Sequence, residues 1–344
     1  MLIDGIHVPL SSPFYRDGRS YLRKLEHNVA RYSLTPVAGL VALASEGAML
    51  TDAEAFESLQ SVGEFAAKEK VLIASIDRES VHAALLLAEQ ADAAGFDALL
   101  VRVPGSIAAD DIAMKELYLR TVADGASLPV LLLSEEGRSL PVSAIAELAK
   151  HTNIIGLYDA ELTVERYQEI VAATADVKRE VTVTTIFAPV TRRMLKVEVE
   201  AGGSFVSADS LAGGLAVAVA PPKPAIKTRT KSVGFQIMAA GTATNMTSLL
   251  AAGVAGAMPE LATCTPQGVY EAFAAFKDGD PRLSELKQER LVEADALIAQ
   301  LGIAGIKYGC DWNGYYGGVP RLPRLPLDAA ARAQIERVLA GLRN

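Results

Sequence analysis

The feature that most constrains this chain is an alternation. Eight short apolar runs, "GIHVPLSS", "VAGLVALAS", "VLIASID", "ALLVRVP", "LPVLLLSE", "NIIGLYD", "GFQIMAAG" and "GVAGAMPE", are separated by stretches whose apolar residues recur at helical spacing. Typical of the latter are "DAEAFESLQSVGEFAAKE" and "ESVHAALLLAEQADAAG", the second ending at Gly95, where a helix C-cap is expected. The runs are apolar on both faces, so each strand needs cover on both sides. Strand followed by helix, repeated, predicts an α/β protein built as a (β/α)8 TIM barrel. The alternative, a doubly wound open sheet, calls for a G-x-G-x-x-G after the first strand, and none is there.

The repeat is broken once. From about residue 180 to 232 the chain reads "EVTVTTIFAPVTRRMLKVEVEAGGSFVSADSLAGGLAVAVAPPKPAIKTRTKS", too long for a barrel connection. In this insertion "VTVTTIF" has strand character and "TRRML" helix character, whereas "PPKPAIKTRTK" has neither. Lys223, Lys227, Arg229 and Lys231 in that stretch read as a solvated linker before they read as an anion site. Because the insertion follows the sixth helix and precedes the seventh strand, it is expected at the N-terminal face of the barrel.

Composition removes several functional classes. The net charge of −8 comes from carboxylates spread along 344 residues, with no Lys/Arg-rich tract, so nucleic acid is not an expected partner. Cys264 and Cys310 are far apart and form no C-x-x-C pair, which fits a reducing cytoplasm better than a disulfide framework or a zinc knuckle. No basic region precedes an apolar run at the start, and no window reaches the roughly 18 apolar residues of a membrane span. A cytoplasmic protein without a membrane partner is expected.

Four motifs in order, "HVPLSSPFYRDG", "SEGAMLTDAE", "NIIGLYDA" and "GGVPRLPRLPL", resemble the dihydrodipicolinate synthase/N-acetylneuraminate lyase family. The resemblance covers nearly the whole chain outside the insertion. It implies a barrel over residues 1–280, interrupted at about 180–232, and a C-terminal helical extension over 281–344. It also implies a homodimer or homotetramer, and a carbon-carbon lyase or aldolase-like activity on a small molecule such as a 2-oxo acid or sugar acid. That chemistry runs through a lysine whose imine with the substrate ketone is an electron sink for the adjacent carbanion.

The lysine is where this sequence departs. The family pattern at the sixth strand resembles "NIIGIKEA", and against "NIIGLYDA" its lysine falls on Tyr158, a phenol that forms no imine. The tyrosine of "LPVILYNVPGRT" falls on Leu133 of "LPVLLLSEEGRS", beside Ser134. The carboxylate-holding "GTTGES" falls on "ALASEG", which keeps Glu46 but sets Leu43, Ala44 and Ser45 in the pocket positions. Gly105 and Ser106 replace a tyrosine pair after Pro104, and Arg138 alone remains as an anion contact at the pocket mouth. Tyr158 and Arg138 are thus the candidate catalytic residues, and Leu43, Ala44, Ser45, Leu133 and Ser134 the candidate substrate-binding ones.

Barrel chemistry sits at the C-terminal ends of strands, where Glu46, Asp77, Glu135, Glu136 and Asp159 fall. Converging carboxylates hold Mg²⁺ or Mn²⁺ and stabilise an enolate without an imine; the bland alternative is helix capping and loop shaping, and no metal or cofactor is expected. Asp159 should point to the following helix, Tyr158 inward, and Ile155 and Leu157 outward. His27, His82 and His151 fall on or beside helical stretches, and His7 in the first strand reads as a hydrogen-bonded core residue. Trp312, Tyr315 and Tyr316 of "DWNGYYGG" line a pocket or pack the C-terminal helices. Three hypotheses follow: a lyase with a changed mechanism, a non-catalytic small-molecule or protein-binding barrel (a pseudoenzyme), and an aldolase whose amine is Lys196 or Lys307.

Overall fold

The computed structural model describes residues 1–195 and 226–342. In chain order the elements are β1 (Gly5–Pro9), α1 (Leu22–Ser33), β2 (Gly39–Ala42), α2 (Asp52–Phe65), β3 (Val71–Ile76), α3 (Val81–Ala93), β4 (Ala98–Arg102), α4 (Ile112–Gly125), β5 (Val130–Ser134), α5 (Val142–Ala149), β6 (Ile154–Asp159) and α6 (Val164–Ala173). There follow β7 (Arg179–Thr184), α7 (Arg192–Leu195), β8 (Thr228–Val233), β9 (Gln236–Gly241), α8 (Met246–Ala252), β10 (Gly256–Pro259), α9 (Pro266–Lys277), α10 (Pro281–Trp312) and α11 (Ala329–Leu339). The eight apolar runs are the eight barrel strands. They close in the order β1-β2-β3-β4-β5-β6-β9-β10, every neighbour parallel.

The helices start where side chains satisfy free backbone N–H groups. Thr51 accepts from Glu54 N at 3.3 Å while the Glu54 carboxylate accepts from Thr51 N at 3.0 Å, a reciprocal cap on α2. Ser80, Asp111, Thr163, Asp280 and Asp328 cap α3, α4, α6, α10 and α11 in the simpler way, each contributing about 1 kcal/mol. Closure of the barrel depends on a glycine, because a Cβ on Gly256 would lie 2.0 Å from the Gly5 carbonyl oxygen.

The apolar surface divides into two layers. Leu40, Leu72, Leu99, Leu132 and Leu157 pack outward against the helices, and Val41, Ile73, Leu100, Leu131 and Leu133 fill the barrel itself. Fully burying one such leucine contributes ~1.5–3 kcal/mol, so filling the interior is a large stabilising term. One expectation fails here. Ile155 joins the interior cluster and does not face the helices, because the β5–β6 register shifts between Val130 and Leu131 and the bulge turns its side chain inward.

The described parts of the insertion, residues 180–195 and 226–232, lie at the N-terminal ends of the barrel strands. β7 and β8 form an antiparallel pair whose inward Val181, Val183 and Val233 pack with Leu2. Arg192 N donates to the Asp97 carboxylate at 2.7 Å, and Arg193 donates to the Ala66 and Lys70 carbonyls, all at or before the starts of β3 and β4. A second correction concerns "PPKPAIKTRTK", whose last four residues, 228–231, open strand β8, paired residue for residue with β7. Lys227, Arg229 and Lys231 are exposed there; Lys196 and Lys223 lie outside the described residues. Among the described residues no helix is long and apolar enough to cross a membrane.

Candidate functional site

The inner site begins with the two-residue period of β6. Leu157 and Asp159 face outward and Tyr158 faces into the barrel, fully buried beside Leu133 and Met238 in register. Across the barrel, His7 on β1 is fully buried as well, and its Nδ1 is hydrogen-bonded to the Tyr158 hydroxyl. Burial disfavours the imidazolium and lowers the His7 pKa from 6.5 to about 4, the Asp4 backbone opposing the shift in part. Burial likewise pushes the Tyr158 phenol well above its ordinary value. At neutral pH both groups are uncharged, and a single hydrogen bond joins the phenol to the ring nitrogen.

Above this pair lies a layer of ion pairs. β4 places Arg102 on the same face as Ala98 and Leu100, so its guanidinium emerges at the C-terminal mouth. It lies 3.3 Å from Asp77 and 3.1 Å from Glu135. Arg138 takes the other Asp77 oxygen at 3.1 Å and donates to the Val103 carbonyl at 3.1 Å. One carboxylate therefore bridges two guanidiniums, an arrangement that holds its geometry better than an isolated surface pair.

Two cavities open at the same face. One, of about 470 Å³, is lined by Ser45, Glu260, Arg324 and the stretch of α10 around Gly302, where the helix is broken at φ 57° and ψ −145°. The other, of about 360 Å³, is lined by Glu136, Glu161, Thr242, Asp295 and again Glu260. Burial raises the Glu260 pKa; the Arg102 and Arg324 charges oppose that rise, and Asp295 and Glu135 add to it. Tyr158 lines neither cavity.

The sequence-predicted residues separate into three groups. Tyr158, Leu133 and Ala44 are in the barrel interior, Ser45 lines the larger mouth cavity, and Arg138 is held in the ion-pair layer. Leu43, Ala44, Leu133 and Ser134 line neither mouth cavity. Leu43 sits at φ 61°, which breaks the strand alternation and sends its side chain into the outer layer, while Ser134 Oγ accepts from Leu140 N at 3.1 Å. Asp159 faces α6 as expected, accepting from Arg166 Nε at 2.8 Å. Gly105 and Ser106 cradle the Glu79 carboxylate through their backbone N–H groups, both at 3.2 Å.

The strand-end acids do not converge. Asp77 and Glu135 are paired with Arg102, Asp159 with Arg166, and Glu46 with Lys307 at 3.0 Å in full burial; Glu136 stands apart in the smaller cavity. Among the described residues no three His, Cys, Asp or Glu side chains group as a metal site. Lys307, one of the two candidate amines, also donates to the Ser12 and Gly317 carbonyls and lies 4.9 Å from the Phe14 ring centre. It is a strut between the C-terminal helix and the first two strand ends. Two residues were missed in the sequence: Arg102, whose place two steps after Leu100 marks it as inward, and Glu260, the last residue of the run "GVAGAMPE".

Comparison with known proteins converges on one group. The family model described as the dihydrodipicolinate synthetase family matches residues 2–183. A 4-hydroxy-tetrahydrodipicolinate synthase from Acidiphilium cryptum is 25% identical over 99% of both chains. A second, from Pseudoalteromonas atlantica, is 32% identical over 49% of this chain and 59% of its own length. Two solved structures share the fold. These are a putative dihydrodipicolinate synthetase from Pseudomonas aeruginosa (TM-score 0.74, 21% identity, 99% of this chain and 100% of that one) and a dihydrodipicolinate synthase from Bacillus anthracis (TM-score 0.76, 19% identity, 100% of both).

Proposed function

This chain belongs to the dihydrodipicolinate synthetase family, and from that premise we propose that it is a small-molecule-binding lyase-family barrel that has given up imine chemistry. The observation that carries the proposal is Tyr158. It stands inward at the C-terminal end of β6, where the family resemblance places the imine-forming lysine, and it is fully buried and bonded to His7. An imine needs an amine that can meet the substrate ketone. The buried Lys307 is committed to Glu46 and two carbonyls, which leaves it no role as a substitute.

Ligand binding then moves outward to the mouth, where Ser45, Glu260 and Arg324 line the larger cavity above the Arg102–Asp77–Arg138 layer. A 2-oxo acid or sugar acid fits this setting through its carboxylate. A second reading, a lyase of changed mechanism, is favoured by Glu260. A carboxyl whose pKa burial raises, shared by two cavities, is placed as a general acid would be. Solvent deuterium exchange into the methyl group of pyruvate tests the proposal, since the enamine that follows an imine exchanges those protons. The expected rate with the protein equals the rate without it; protein-dependent exchange that is abolished by borohydride reduction in the presence of pyruvate contradicts the proposal.

A further inference from the structure

Beside the mouth lies a cavity of another character. The loop after β1, one face of α10, the segment that follows it and the first turn of α11 enclose about 370 Å³. It shares only Ala304 with the larger mouth cavity. Its walls are aromatic, formed by Phe14, Tyr15, Tyr308 and Tyr316.

Three of these walls are fixed by residues outside the cavity. Tyr21 stacks on Tyr15 at 3.9 Å between ring centres and 17° between planes, and meets Tyr316 edge-on at 5.5 Å. The Glu336 carboxylate accepts the Tyr308 hydroxyl. The aromatic surfaces are therefore set before any ligand arrives, which reduces the ordering cost of binding.

The charged lining is lopsided. Arg16 and Arg332 contribute guanidiniums, and Asp311 is the one carboxylate. Asp311 Oδ1 already accepts the Gly317 and Gly318 N–H groups at 2.8 and 3.3 Å, so part of its acceptor capacity is used within the chain. Arg332 spends one N–H on the Leu327 carbonyl at 3.1 Å, and the rest of its planar fork is available to an anion.

We infer that this cavity is a binding site for a small planar ring carrying an anionic group, with the ring among the tyrosines and the anion on Arg16 and Arg332. A phosphate and a carboxylate share that chemistry, and calorimetry on the full-length protein with adenosine monophosphate, 3-phenylpropionate and benzylamine distinguishes them. At least one of the two anions should bind and benzylamine should not; whichever anion binds tighter identifies the group the site takes. Arg16→Glu should weaken that binding about tenfold or more, as loss of a charged hydrogen bond does. Arg16 is an exposed side chain, so its reversal leaves the fold intact. Tyr308→Ala, which removes one aromatic wall and the ring over which Arg332 lies at 5.4 Å, should weaken binding as well. No binding of either anion at about 10 mM, affinities unchanged in both variants, or benzylamine binding as tightly as the anions would overturn the inference.

Discussion

Tyr158 and His7 share one hydrogen bond inside an apolar barrel, and the burial of the His7 ring there makes stability depend on pH. Above pH 6.5 the ring is neutral in both folded and unfolded chains and contributes no slope. As pH falls from 6.5 towards the folded value of about 4, the unfolded chain takes up a proton that the buried ring refuses, so stability is lost across that window. The loss approaches the order of 3 kcal/mol when the whole interval is crossed. Urea denaturation at pH 7, 6 and 5 should show it, and His7→Gln should flatten the dependence; an equal slope in both proteins would assign it elsewhere. The inward direction of Tyr158 was legible in the sequence because β6 keeps its two-residue period there. His7 was legible as a core residue but its partner was not, since the two meet only when the barrel closes. Leu43 and Ile155 were misplaced for one physical reason, a local break in the period, by a positive φ in the first case and a bulge in the second.

Among the elements, the closing motif "GGVPRLPRLPL" acts through Arg321. Its guanidinium forks onto both Glu54 oxygens, donates to the Met49 carbonyl at 2.6 Å and to the Gly18 carbonyl at 2.8 Å, and lies 4.4 Å from the Phe14 ring centre. Three loops of the mouth are thereby tied to one side chain. The same fork draws the Glu54 pKa down to about 2. Arg321→Lys keeps the charge but loses the fork and the stacking, and should cost about 1–2 kcal/mol in chemical denaturation; a variant as stable as wild type would show that the fork is dispensable. The motif was recognisable in the sequence, yet the target of its arginine was not, because Glu54 is 267 residues away. The barrel strands were legible throughout, since apolar runs bounded by helical periods admit few other assignments. Strand β8 was not: "TRTKSV" is exposed along nearly its whole length and carries no alternating apolar signal, so its pairing with β7 comes from backbone hydrogen bonding that composition does not reveal.

For the whole molecule, we propose a homodimer or homotetramer. Supporting it, Leu86 on α3 and Met114 and Leu117 on the neighbouring α4 leave apolar side chains 42%, 50% and 66% exposed. Light scattering should give a multiple of the chain mass at working concentration; a monomer would dissociate this protein from that mode of assembly. The central claim is chemical, that a family barrel with Tyr158 in its interior makes no imine with a 2-oxo acid. Incubation with pyruvate, reduction with borohydride and intact-mass measurement test it most directly. The wild-type chain should keep an unchanged mass. A covalent pyruvyl adduct mapped to any lysine, Lys307 and Lys196 being the first to examine, would contradict it.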